Sequence, residues 1–153
     1  MTRKNLILLA SGGSAALLLA ALGFQYLGGL APCPLCIWQR WPHLAGALAG
    51  PAALALAGAA LPLLGAATML AGAGIGAYHS GVEQGWWEGP ATCAAPDVST
   101  LSPEELLARI LEAPVVRCDE IPWALFGLSM ASWNALASLA LAGLWLMAAR
   151  RAA

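Results

Sequence analysis

Residues 33–43 read CPLCIWQRWPH. Two cysteines stand two residues apart, directly before a long apolar run, with Arg40 and His43 close behind. Cys-x-x-C is the spacing of redox-active dithiols, in which the setting of one sulfur stabilises its thiolate. What the pair does depends on which side of a membrane it faces, and on where Cys93 and Cys118 lie.

That a membrane is involved follows from composition. The 153 residues are 60% hydrophobic and 10% charged, where a soluble domain carries about 25% charged residues. The length suits a single integral membrane domain over residues 1–153. Four apolar stretches approach the roughly 20 residues a crossing needs: about Leu6–Leu30, Trp41–Gly58, Leu61–Tyr78 and Trp123–Ala149. The expected fold is an all-α membrane protein, a four-transmembrane-helix bundle. The second and third spans are Ala/Gly-rich, which lets helices approach closely in lipid. AGAALPLLG, with Pro62, is the expected tight turn between them. Arg3 and Lys4 before an apolar run resemble a signal peptide, but that run is longer than the usual core. LAPC at 30–33 puts Pro32 where a lipoprotein site wants a small residue. The first stretch therefore reads as a retained helix.

Charge sets the orientation. All eight acidic residues lie between Glu83 and Glu120, while Arg3, Lys4, Arg150 and Arg151 sit at the two ends. Basic residues near span ends stay cytoplasmic, so both termini should be cytoplasmic and the number of crossings even. Ala31–Arg40 and His79–Pro122 then form two outer loops. No basic patch suggests nucleic acid. Trp38, Trp41, Trp86, Trp87, Trp123 and Trp145 fall near the expected membrane boundaries, as tryptophan prefers, and Trp133 is expected inside the bundle. In the long loop, Ser102-Pro103-Glu104-Glu105 is a helix start. Leu106, Leu107, Ile110 and Leu111 share one face of that helix, which predicts a short amphipathic helix lying on the membrane surface.

All four cysteines fall in the outer loops, a disulfide-permissive side. Four cysteines allow three pairings, and adjacency suggests Cys33–Cys36 and Cys93–Cys118. A staple suits Cys93–Cys118, whose loop gains from closure. A bridge across two residues removes little chain entropy, so Cys33–Cys36 reads as redox-active. Cys36 precedes a helix, whose N-terminus favours negative charge. If the chain is helical there, Cys36, Arg40 and His43 share one face; Pro42 as the helix start would weaken that geometry. Ile37 after Cys36 excludes a Cys-x-x-C-His haem site. A zinc site from Cys33, Cys36 and His43 or His79 lacks a second closely spaced pair. His43 reads as interfacial or bundle-facing, and His79 as ending the third helix level with the dithiol.

Taken in order, CPLCIWQR, AYHSGVEQGWW, GPATC, VRCDEIPW and LFGLSMASWNAL resemble the bacterial disulfide bond formation protein B (DsbB) family of quinone-linked thiol oxidases. The likeness covers most of the chain. It implies a multi-pass protein of the bacterial inner membrane, whose outer loops are periplasmic. It implies four catalytic cysteines, Cys33, Cys36, Cys93 and Cys118, with Arg40 and His79 binding a quinone, ubiquinone or menaquinone. The implied partner is a periplasmic DsbA-like oxidase of the thioredoxin fold. That partner would attack Cys93–Cys118 at Cys93, and the freed Cys118 would attack Cys33. Cys36 would be left as a thiolate beside the quinone, held by Arg40 with help from His79. Gly89, Pro90 and Pro96 suggest flexible surroundings for Cys93. A vitamin K epoxide reductase type is disfavoured, because there the loop cysteines precede the Cys-x-x-C. A non-catalytic membrane protein with structural disulfides or a Cys/His metal site is the competing class.

Overall fold

In the computed structural model, residues 1–93, 102–112 and 116–151 are described. Pro96 lies outside them, as do the side chains of Leu106, Ile110 and Leu111. Four long helices and one short one dominate: α1 (Arg3–Tyr26), α2 (Pro34–Ala55), α3 (Ala60–Glu83), α4 (Pro103–Glu112) and α5 (Met130–Arg150). Strands β1 (Ala124–Leu125) and β2 (Leu128–Ser129) form a small antiparallel hairpin.

Local chemistry explains where these boundaries depart from the expected ones. α2 begins at Pro34, seven residues before Trp41, because Cys33 caps it and proline occupies its first position. Pro42 is therefore accommodated inside the helix, and the outer loop expected to reach Arg40 ends at Cys33. α1 stops at Tyr26, before Gly28 and Gly29, where Gly29 takes a positive φ of 69°. The turn between α2 and α3 is built on Gly58, with φ 104°. Pro62 is a buried residue of the first turn of α3 rather than the turn itself. α3 runs on to Glu83, so His79 is a helical residue rather than a helix end. α5 starts at Met130 instead of Trp123, because Phe126 and Gly127 both adopt positive φ and fold the preceding residues into a hairpin. Ser129 then caps α5, accepting from the backbone N–H of Ser132.

The long helices pack as a ring in which each meets two neighbours: α1 on α2, α2 on α3, α3 on α5, and α5 on α1. They alternate in direction. Arg3 at the start of α1 donates to the carbonyls of Leu56 and Gly58 beyond the end of α2, at 3.1 and 3.2 Å. At the opposite end, Ser80 of α3 meets Ser132 of α5 at 2.9 Å. The two termini thus share one end of the bundle and the cysteines occupy the other. α1, α3 and α5 are long and apolar enough to cross a membrane. α2 has a similar length, 22 residues. It carries Gln39, Arg40 and His43 on its inner side, and Ile37, Trp41, Leu44 and Leu48 outward.

Two apolar clusters divide the interior. One joins Leu6, Ile7 and Ala10 to Ala53, Met69 and Trp145 near the termini. The other joins Leu35 and Val82 to Cys33, Cys93 and Cys118. Trp145, expected at a membrane boundary, is fully buried (0% exposed). Its ring lies against Gly65, where an added Cβ would stand 2.6 Å from ring carbons. Trp133, expected inside, is instead 38% exposed, with its indole N–H donated to the Leu125 carbonyl at 3.1 Å. Helix phase separates them: glycine on α3 opens a slot for one ring, and the hairpin offers the other an acceptor.

Candidate active site

The N-terminus of α2 sets the first cysteine. As the capping residue, Cys33 has extended backbone, and its Sγ accepts from the Cys36 backbone N–H at 3.2 Å. Cys36 is the third helical residue, so its own sulfur returns towards Cys33, and the two Sγ atoms stand 2.7 Å apart. Both are free. Burial and the hydrogen bond between the sulfurs act on Cys33 together. The bond to Cys36 is the larger cause and burial the second, and they push the Cys33 thiol far above the ordinary range.

The other pair is bonded. Cys93 and Cys118 form a disulfide that closes 25 residues of loop. Cys93 ends a short 3₁₀ turn, Ala91–Cys93, with its N–H donated to the Pro90 carbonyl at 2.8 Å. Its surroundings are packed: Cys93 and Cys118 are both buried with Leu35 and Val82. The segment after α3 is held down by Trp87, which donates to the Tyr78 carbonyl at 2.8 Å and stacks on the Tyr78 ring. Gly81 lies directly beneath that indole, where a Cβ would overlap it.

Packing of this loop onto the helix ends brings the two pairs together. The Sγ of Cys33, the Sγ of Cys118 and a ring nitrogen of His79 all lie within 4.8 Å of one another. His79 Nε2 is 3.5 Å from Cys33 Sγ and 3.9 Å from Glu83 Oε1. Its Nδ1 meets Gln39 Nε2 at 2.7 Å. Glu83 is also bonded to the Ser129 hydroxyl, which donates to the carboxylate. These three atoms are of types that bind soft metals, but Cys118 is committed to Cys93, and Cys36 and His43 are not in the group.

A cavity of about 300 Å³ opens beside the dithiol between α1, α2, α3 and α5. Cys36, Arg40 and His79 line one part of it, and Leu17, Phe24 and Trp123 supply apolar wall. The Arg40 guanidinium donates to the neutral Gln25 at 2.7 Å. Because α2 is helical from Pro34, Cys36, Arg40 and His43 do share a face. Further along the cavity His43 Nε2 meets Asn134 Oδ1 at 2.6 Å. His43 Nδ1 and Asn134 Nδ2 are buried without partners. An apolar slot whose lining also holds the Cys36 sulfur, the Arg40 cation and His79 suits a flat, largely apolar acceptor with polar oxygens. The residues therefore fit a quinone.

Comparison with known proteins decides the family. The family described as Disulfide bond formation protein DsbB matches residues 3–148. The chain belongs to the DsbB family. A DsbB relative, Disulfide bond formation protein B of Methylococcus capsulatus, is 37% identical over 135 residues, covering 83% of this chain and 82% of the relative. The protein of the same name from Xanthomonas oryzae pv. oryzae is 36% identical over 147 residues, covering 88% and 83%. That from Azoarcus is 32% identical over 169 residues, covering 97% and 95%. No solved structure matches. Of the residues singled out in sequence, the fold gathers Cys33, Cys36, Cys118, Arg40 and His79 around one site, with Cys93 bonded to it. Sequence reading missed Gln39, Glu83 and Asn134. Glu83 alone carried a signal, as a carboxylate one helical turn beyond His79.

Proposed function

We propose that this protein is a membrane thiol oxidase that reoxidises a periplasmic DsbA-type disulfide donor and passes two electrons through its two cysteine pairs to a membrane quinone. The observation that carries the reading is the approach of Cys118 to Cys33 within 4.8 Å. Two loop staples with separate structural duties have no need of that proximity. Thiol–disulfide exchange proceeds through a mixed disulfide and needs the attacking and attacked sulfurs close together.

The steps balance. A partner thiolate bonds to Cys93 and breaks Cys93–Cys118, leaving the electron pair on Cys118. Cys118 then bonds to Cys33 of an oxidised Cys33–Cys36 pair, and the electrons pass to Cys36. The partner's second thiolate releases Cys93 and leaves as a disulfide. Cys93 recaptures Cys118, which leaves Cys33 and Cys36 reduced. A bound quinone supplies the two-electron, two-proton sink that restores Cys33–Cys36. Arg40 and His79 would hold it, with His43 and Asn134 lining the same cavity. Because Cys93 is buried, the partner has to lift the 3₁₀ turn off Val82 and Leu35 before attack.

The same reading places α2 as a fourth span, since its outward residues are apolar and its polar ones face the cavity. Both termini would then be cytoplasmic, with the cysteine end in the periplasm of a bacterial inner membrane. α4 would lie at the membrane surface. Its N-terminus is closed by a reciprocal pair, Ser102 N–H to Glu105 at 2.9 Å and Glu105 N–H to Ser102 Oγ at 3.3 Å.

The test uses purified protein in detergent or liposomes with a quinone and a reduced thioredoxin-fold dithiol, followed by quinone absorbance. Consumption by wild type and by neither Cys36→Ser nor Cys93→Ser is expected. If no partner drives reduction and Cys33–Cys36 never cycles, the oxidase reading fails and a structural role takes its place.

A further inference from the structure

The exchange of sulfurs leaves unused a buried contact beside the cysteines, that between Gln39 and His79. We propose that Gln39 is a positioning residue that fixes the tautomer of His79, so that the imidazole presents an N–H rather than a lone pair to the sulfur of Cys118 as it becomes a thiolate. The proposal deepens the oxidase reading, which supplies the identity of that thiolate; the tautomer itself stands on geometry alone.

Gln39 is buried on α2, one turn beyond Leu35. Its side-chain nitrogen lies 3.4 Å from the Leu35 carbonyl oxygen and 2.7 Å from His79 Nδ1. Turning the amide over would set its own oxygen against the Leu35 carbonyl, two acceptors with no proton between them. The –NH₂ end therefore faces both groups. An amide –NH₂ only donates, so Nδ1 of His79 accepts, and the single proton of the neutral ring sits on Nε2. The same contact leaves no acceptor for a second ring proton at Nδ1.

Nε2 is the nitrogen turned to the chemistry, 3.5 Å from Cys33 Sγ and 3.9 Å from Glu83 Oε1. Cys118 Sγ lies within 4.8 Å of both the ring and Cys33. The titratable groups around the ring are Cys33 and Cys36 at the start of α2, Glu83 from its own helix and Cys118 from the loop, with Arg40, Arg117 and Glu120 on the wall of the same cavity. His79 also meets the backbone of Cys118, so when the partner breaks Cys93–Cys118 and the electron pair arrives on that residue's sulfur, within 4.8 Å of the ring, a ring N–H is at hand to stabilise it. The proton stays on Nε2 while Cys118 bonds to Cys33 and the pair moves on to Cys36. A bare Nε2 would instead oppose one lone pair with another.

The experiment reads the tautomer directly. Protein with ¹⁵N-labelled histidine in detergent gives ring-nitrogen signals from His43 and His79, assigned by difference against His43→Gln. The expected wild-type result is a protonated Nε2 and a bare Nδ1 on His79. Gln39→Glu, whose carboxylate accepts, moves the proton to Nδ1, and Gln39→Leu gives a mixture. A second readout is the pH dependence of Cys118 alkylation in a Cys93→Ser background. With Gln39 in place Cys118 reacts about tenfold faster at neutral pH than with Gln39→Glu, the equivalent of one pH unit. A wild-type His79 protonated on Nδ1, a proton that stays on Nε2 in Gln39→Glu, or identical Cys118 profiles would each overturn the proposal. The oxidase reading fails separately, as wild-type protein with the expected tautomer that passes no electrons to quinone.

Discussion

The two ends of this bundle are made from the same helices and solve opposite problems. At the end that holds the termini, α3 and α5 meet through glycine and alanine, and Trp145 fills the slot over Gly65. The polar side chains there are spent on nearby groups: Arg3 on the carbonyls that close α2, and buried Ser14 on the Ala10 carbonyl. At the cysteine end the helices carry Gln39, Arg40, His79 and Glu83 inward and leave a cavity of about 300 Å³ among them. On the proposed relay, packing at one end supports the chemistry at the other: sulfurs that exchange partners need a frame that does not move with them. Close-packed small residues supply that frame in lipid, where no hydrophobic effect drives helices together.

The comparison breaks most sharply if the sulfurs can be removed without loosening the frame. Cys118→Ser should abolish quinone reduction while the four long helices persist, as seen by circular dichroism in detergent alongside the absorbance assay. A collapse of helicity would show that the loop disulfide holds the bundle. Trp145→Ala makes the converse cut. It empties a fully buried slot and should cost about 3–5 kcal/mol, read by thermal or denaturant unfolding, with alkylation of Cys36 in the folded fraction unchanged. Arg40→Gln removes a charged donor from the cavity wall. Hydrogen bonds to charged groups contribute about 1.5–3 kcal/mol, so the KM for quinone should rise about tenfold or more with the protein's melting little altered.

The smallest effect tests the dithiol's internal proton. The Cys33 thiol is held up first by its bond to Cys36 and then by burial. A raised thiol pKa keeps Cys33 protonated through neutral pH, so its alkylation climbs only on the alkaline side. Cys36→Ala removes the larger cause, and the climb should move to lower pH, measured as alkylation rate against pH. A profile that stays put would assign the effect to burial alone.

The boundaries that sequence placed worst are those that local capping controls. Cys33 as an N-cap and Phe126-Gly127 as a turn each shifted a helix start by seven residues, because apolar content does not mark where a backbone turns. Trp133 and Trp145 exchanged their expected places for a related reason. Both lie in one apolar run, and their fates depend on which face of α5 meets Gly65.

By itself the sequence determined the class: an apolar helical chain with a Cys-x-x-C at a helix start, Arg40 one turn further on, and the other two cysteines in the long segment before the last span. Those features follow from composition, charge placement and spacing, which are local. Only the tertiary structure decided that Cys118 comes to Cys33, that Gln39 reaches His79 and that Glu83 is buried beside it. Each of these joins residues 40 or more positions apart, or neighbours whose meeting needs a helix phase. Such contacts are set by how α2, α3 and the loop pack together, and no single stretch of chain carries them.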